Sequence, residues 1–449
     1  MAISATRLGS SPITLDWSGI LSKYSPDQET LTDAWNQLKT RFHTGDVGFY
    51  DCPIQNDLSQ ANECQHLAES ILAKGQFTDC LFLGIGGSSL GPLSLLSSLT
   101  EKCQSGIRFH FIENPDPLEW KGTLQKLHPD STLVCSVTKS GTTFETLSQT
   151  LLALEWLKKE RWKTHMVIIT DPTKGDLREF ANQEGIPALT IAPCMGGRFS
   201  VFTPVGLFPA ALAGLSIQSI LTGAKQVRDY IEKTPAEKNA LFILGDILLQ
   251  HYPKRPMHVC MPYSTRLRQI GSWFVQLWGE SLGKDGKGFT PLAALGATDQ
   301  HSILQLLRDG PDDKVTLFMT VDQVDDEVKI PRLQPTQERK VYPAFRILEN
   351  HTLHELLGIE YRATAMVLTK QNRPHCTLGL DRLDERSLGA LYFSFATLTA
   401  FTGALWGVNP FDQPGVEEAK IYIRQALNHD PSPSLEDPEN SAVARLRRN

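Results

Sequence analysis

The chain has 449 residues, 41% hydrophobic and 21% charged, with a formal net charge of −6 at pH 7. That is enough chain for two or three full cores and the make-up of an ordinary globular protein. The negative charge excludes general attraction to nucleic acid or to acidic membrane surfaces, so an anionic ligand must be held by local donors. Eight cysteines lie between Cys52 and Cys376 with no CxxC pair, which excludes zinc-ribbon spacing and a small disulfide framework. Cys135 and Cys260 fall in apolar runs, where a thiol packs as a small hydrophobe. The N-terminus lacks a signal-peptide core, and no later apolar run reads as long enough to span a membrane. The expectation is a cytoplasmic protein with no nucleic-acid or membrane partner.

In chain order, residues 1–75 combine a polar start with helical patterns at 30–42 and 57–73, predicting an N-terminal helical arm. Residues 76–213 predict a first α/β lobe, with strands at 79–85, 107–112, 132–137 and 165–170 and helices at 92–99 and 144–156. The segment 193–197 breaks the pattern, and a long helical stretch bridging two lobes begins at 204. Residues 214–430 repeat the rhythm, with strands at 257–261, 315–321 and 376–380. Helices are predicted there at 270–278, 352–361, 387–406 and 416–427. Residues 431–449, rich in Pro, Ser and charge, read as a polar tail. The alternation predicts an α/β fold of two doubly wound lobes, with mostly parallel sheets and helical extensions at both ends.

The richest chemistry lies at 133–146. An apolar run ends in Thr138, Lys139, Ser140, Gly141, Thr142 and Thr143, and a helix follows from Phe144. Unpaired amides of a first helical turn, the helix dipole and nearby hydroxyls together make an anion cradle. Capping requires one hydroxyl, and here four flank a lysine, so the pattern points to phosphate. A second turn, Gly84-Ile85-Gly86-Gly87-Ser88-Ser89, also follows a strand and invites a dinucleotide reading, with Glu113 as the acid. Ser89 occupies the third glycine position, however, and no GxxxxGK[ST] exists, so neither a Rossmann fingerprint nor a P-loop fits. Two hydroxyl-bearing turns, Gly87-Ser88 and 138–143, one connection apart at strand ends, suit a single phosphate.

The motifs GIGGSSLGP, SVTKSGTTFET, CMGGRFSVFTPVGL, QLWGESLGK, GATDQHS and NPFDQPGVEEAK occur in the order seen in phosphoglucose isomerases, which the chain resembles from 84 to 420. The resemblance implies two sugar-isomerase (SIS) lobes and aldose–ketose isomerisation of glucose 6-phosphate and fructose 6-phosphate through a cis-enediol. It further implies a homodimer with a shared active site and no metal or nucleotide cofactor. It assigns Glu280 as the proton-shuttling base, His301 and Lys420 to ring opening, Arg198 to the enediolate charge and Glu145 to orienting His301. It also places Gly197, Gln276 and Gln413 beside the substrate, the two glutamines on the phosphate side. These residue types suit the reaction, which needs an anchored phosphate, an acid, a base and a fixed cation. Thr138 stands where the family commonly has serine, keeping the hydroxyl and adding a methyl.

Three rival readings arise. His351, His354 and Glu355 do not match a zinc-enzyme helix motif, which argues against a metal-dependent isomerase. Relaxed specificity that includes mannose 6-phosphate is invisible in sequence. A non-catalytic sugar-phosphate sensor would need the cradle but not Glu280, His301, Arg198 and Lys420 together.

Overall fold

The computed structural model describes residues 5–20, 26–54, 59–334 and 342–427. The expected tail at 431–449 and the start of the 57–73 helix lie outside the described residues. Two sheets form the frame. The first holds β3 (Asp79–Leu83), β4 (Arg108–Ile112), β5 (Thr132–Thr138), β6 (Met166–Thr170) and β7 (Ala188–Thr190), all parallel, in the order β4-β3-β5-β6-β7. Every residue of β3, β5 and β6 is buried, which accounts for their continuous apolar runs. The winding reverses between β3 and β5, and this 2-1-3-4-5 order differs from that of a dinucleotide-binding sheet.

The second sheet holds β8 (Met257–Pro262), β9 (Thr290–Ala293), β10 (Lys314–Gln323) and β11 (His375–Arg382), parallel, in the order β9-β8-β10-β11. Beyond β11 lies β2 (Ile13–Asp16), antiparallel to it, and then β1 (Ala5–Arg7), antiparallel to β2. The N-terminal segment, expected to be helical, therefore opens with a hairpin that extends the second sheet. Ile13 and Leu15 point inward, Leu15 pairs with Leu378, and Arg7 holds Asp381 through two bonds of 2.6 and 2.7 Å. Edge strands β7 and β9 were likewise not foreseen, being three and four residues long.

Helix Glu385–Trp406 joins the layers. Its 22 residues are long and apolar enough to cross a membrane, contrary to the expectation that no run reaches that length. Yet every residue from Ser387 to Gly403 is buried inside the protein, as expected of a central core helix. It crosses helix Ile217–Lys233 backbone to backbone. A Cβ at Gly389 would stand 1.9 Å from the carbonyl oxygen of Ile220, and one at Gly223 would stand 1.8 Å from that of Arg386. One apolar core then runs through both sheets, from Phe82 and Cys135 to Val315 and Leu378. Cys135 and Cys260 are fully buried in it as expected, and all eight cysteines are free.

Helix Arg268–Leu282 runs four residues beyond the expected end at 278, which puts Glu280 inside its last turn and not after it. Gly279 stays helical, and its missing side chain lets β9 approach, with Pro291 3.4 Å from where a Cβ would be.

Candidate active site

In an open α/β sheet, ligands bind outside the strand ends where the winding reverses. In the first sheet that point lies between β3 and β5, whose C-terminal ends carry the Gly86–Ser88 turn and the 138–143 turn. The two turns singled out in the sequence are therefore adjacent at the switch point.

Thr143 is the N-cap of helix Phe144–Leu157, yet its side chain caps no amide. Its hydroxyl pairs with that of Thr138 at 2.7 Å and lies 3.4 Å from Ser140 Oγ. Ser140 Oγ accepts from the Thr142 amide at 3.2 Å and from the Thr142 hydroxyl at 3.1 Å. The hydroxyls thus bond one another, and the side-chain cap a helix of this kind usually has is absent. Gly141 takes the left-handed conformation, φ 67°, that closes the turn. Burial pushes the Lys139 ammonium below its usual range, and nearby Arg198 acts in the same direction, against Cys194 and Asp171. A desolvated cation without a full counter-charge is a good partner for an incoming anion.

The Gly87 turn sits on the Gly196-Gly197-Arg198 turn so closely that a Cβ at Gly87 would be 2.3 Å from the carbonyl carbon of Gly197. Ser200 Oγ donates to Gly87 O at 3.2 Å. The Ser88 hydroxyl, half-buried beside them, has no protein partner among the described residues.

This contact places Arg198 at the centre of the site. Its side chain is 1% exposed. The guanidinium donates to Ser281 Oγ at 2.6 Å, Pro410 O at 2.6 Å, Asp412 O at 3.0 Å and Gln413 Oε1 at 3.1 Å. It also lies 3.4 Å from Glu280 Oε2, and Gln276 Nε2 donates to that same oxygen at 3.2 Å. Burial lowers the Arg198 pKa from its ordinary value, opposed by Glu280 and Asp412, and a guanidinium in such company stays charged.

Lys284 was not singled out in the sequence, although it closes the quoted QLWGESLGK motif. Its side chain, 9% exposed, bonds Ser281 O at 3.0 Å, Asn409 O, and Asp412 Oδ1 at 3.0 Å. Arg41 reaches the Asn409 side chain at 2.8 Å. Arg198 and Lys284 therefore fasten the 409–413 loop to the Glu280 helix, and Arg41 ties the same loop to helix Gln28–His43.

Other expected residues stand apart. Lys420 lies on helix Pro414–Leu427, no residue of which is buried, and pairs with Glu417 at 2.7 Å. Gln413 immediately precedes that helix and accepts from Arg198. His301 is exposed at the end of the Thr298–His301 turn, and its side chain makes no hydrogen bond among the described residues. Its neighbour Gln300 is fixed by Tyr263 OH at 2.6 Å. Glu145 is half-buried, and among the described residues no hydrogen bond or ion pair joins it to His301 within the chain. His351 and Glu355 form an exposed pair at 2.9 Å, and the described residues contain no His, Cys, Asp and Glu group suited to a metal.

Doubly wound parallel sheets, a hydroxyl-lined turn at the switch point and an arginine-held carboxylate beside it define an α/β protein of the phosphosugar isomerase type. More narrowly, the phosphoglucose isomerase family model matches residues 69–444, and the chain belongs to that family. It is 42% identical over 386 residues to a glucose-6-phosphate isomerase of Rubrobacter xylanophilus, covering 83% of this chain and 87% of that one. A hypothetical protein of Thermus thermophilus superimposes with a TM-score of 0.82 at 36% identity, covering 89% of this chain and 95% of that one. A glucose-6-phosphate isomerase from Chlamydia trachomatis has the same fold, with a TM-score of 0.81 at 20% identity over 99% of this chain and 93% of that one.

Proposed function

We propose that this chain interconverts glucose 6-phosphate and fructose 6-phosphate, a step shared by glycolysis and gluconeogenesis, with Glu280 as the base. The observation that carries the proposal is the Arg198–Glu280 pair beside the cradle. A sensor needs only the cradle, whereas a buried cation at a carboxylate is what an enediolate reaction requires. In this reading Lys139, Ser140, Thr142, Thr143, Ser88 and the first amides of helix Phe144–Leu157 hold the phosphate. The open-chain sugar then extends past Gly87 and Gly197 towards Glu280. Glu280 carries the proton between C2 and C1, and Arg198 balances the enediolate charge. No cofactor is assigned. The test is direct assay of both hexose phosphates, with mannose 6-phosphate as a third substrate. Turnover of the first two supports the proposal, turnover of all three supports relaxed specificity, and binding without turnover refutes catalysis.

The reading includes a homodimer in which His301 of the partner subunit completes the site with Glu145 and assists ring opening alongside Lys420. Two features support it. Among the described residues His301 and Glu145 are not joined within one chain, and helices Pro343–Leu348 and Leu353–Lys370 expose large apolar side chains at Phe345 (53%), Ile347 (74%), Leu353 (53%) and Met366 (58%). Sedimentation of wild type and Ile347→Asp checks this, and a monomeric wild type with full activity would refute it. A cytoplasmic address completes the proposal, supported by the eight unpaired cysteines.

A further inference from the structure

We infer that Gln276 is the positioning residue of the base, holding one oxygen of Glu280 so that the other alone carries the proton. The inference rests on the reading of Glu280 as base. Gln276 lies one helical turn before Glu280, the i, i+4 spacing at which side chains meet. Its Nε2 donates to Glu280 Oε2 at 3.2 Å, and Arg198 approaches that same oxygen at 3.4 Å. Glu280 Oε1 has no hydrogen-bond partner among the described residues. The carboxylate is therefore held asymmetrically, with one oxygen doubly engaged and the other left with its lone pairs free.

The amide can face Glu280 only one way, because a carboxylate needs the N–H side. That orientation leaves Gln276 Oε1 buried without a partner. Gly86 makes room for it, since a Cβ there would stand 3.0 Å from Gln276 Nε2. With its donor side turned to Glu280 and its oxygen enclosed, Gln276 is better suited to orienting the base than to contacting phosphate.

The step balances. The C2–H bond breaks, the proton moves to Glu280 Oε1, and the bond's electron pair forms C1=C2 as the C1 carbonyl pair shifts onto its oxygen. The proton of the C2 hydroxyl passes to O1, the electron pair left on O2 forms the C2 carbonyl, and the C1=C2 pair takes the proton back from Oε1 at C1. Because Oε2 stays held throughout, the carboxylate need not rotate between the two transfers, and this fixed geometry is where Gln276 contributes.

The test compares wild type, Gln276→Met and Gln276→Glu, with thermal unfolding and inorganic phosphate binding measured for each. A hydrogen bond to the charged form of a base favours that form. Removing it in Gln276→Met should lower kcat about tenfold or more, with KM and the inhibition constant of inorganic phosphate held within about twofold. The acid limb of kcat/KM should move to higher pH, and further still in Gln276→Glu, where two carboxylates would share a proton. Weaker phosphate binding with an unmoved acid limb would overturn the inference and return Gln276 to the phosphate. If Glu280→Gln retained C2 proton exchange, the base assignment itself would fail, and the inference with it. Loss of exchange there, with only a KM effect at 276, would refute the inference alone.

Discussion

Thr138→Val removes one hydroxyl and nearly nothing else, and its effects on binding and stability should separate. Thr138 is 2% exposed, and its hydroxyl holds that of Thr143 at 2.7 Å, away from the helix amides that Thr143, as N-cap, would otherwise bond. In the variant Thr143 is free to cap the helix, a bond worth about 1 kcal/mol. A bound phosphate must then displace that cap, so its affinity should fall by the same amount, about fivefold. Folding loses a buried hydroxyl pair worth about 1 kcal/mol and gains the cap, which leaves stability within about 0.5 kcal/mol of wild type. Thr138→Ser keeps the pair and should behave as wild type. Inhibition by inorganic phosphate and urea unfolding, measured on all three proteins, give both quantities. Unchanged phosphate affinity with a clear loss of stability would refute the reasoning and leave Thr138 a purely structural residue.

Lys139→Met should weaken phosphate about 10- to 100-fold, as for loss of a charge-assisted hydrogen bond, while leaving any binding of neutral sugars unchanged; equal losses on both would misplace the cradle. Because burial lowers the Lys139 pKa, phosphate affinity in wild type should decline with rising pH earlier than for an ordinary lysine, and this decline should vanish in the variant. Burial would raise the Asp79 pKa, but hydrogen bonds from Arg108, His110 and Thr78 outweigh it and hold the pKa at about 2. That stability is fully present above the unfolded aspartate value of about 3.9 and is lost as pH falls through about 2. Since Arg108 is 69% exposed, Asp79→Asn should cost only about 1–2 kcal/mol at pH 7, a gap to wild type that urea titrations should show closing in acid. His258, fully buried, accepts from Trp278 Nε1 at 3.1 Å, and burial depresses its pKa to about 3. It stays neutral when folded, while the unfolded chain takes up a proton below about 6.5, so stability drains as pH falls from there towards 3. His258→Leu should cost about 1–3 kcal/mol at pH 8, where Trp278 loses its acceptor, yet show a shallower acid slope between pH 6 and 4. An unchanged slope would contradict this account of His258.

The parts of the fold legible in sequence were those whose cause is local. Strands β3, β5 and β6 showed as unbroken apolar runs because both their faces are buried. The β1–β2 hairpin did not, because its three- and four-residue strands are stabilised by β11, more than 350 positions away. The cradle was legible for the same local reason, since turn, hydroxyls and helix start are consecutive. The surroundings of Arg198 were not, because Pro410 and Asp412 offer it backbone carbonyls, which carry no residue signature. Lys284 stood in a recognisable motif, but its purpose appears only when the 409–413 loop folds back upon it. The helix expected to end at 278 runs on to Leu282, since Gly279 stays helical where strand β9 passes close by.

The central claim is that Glu280, held by Arg198 at 3.4 Å and by Gln276 at 3.2 Å, moves the proton between C2 and C1. Its most direct test is exchange of the C2 proton of glucose 6-phosphate with solvent, followed for wild type and for Glu280→Gln under saturating substrate. Wild type should exchange during turnover, and Glu280→Gln should bind the sugar phosphate with near-normal affinity but show exchange reduced at least about 10³-fold, in keeping with loss of a positioned general base. Exchange at the wild-type rate in Glu280→Gln would contradict the account.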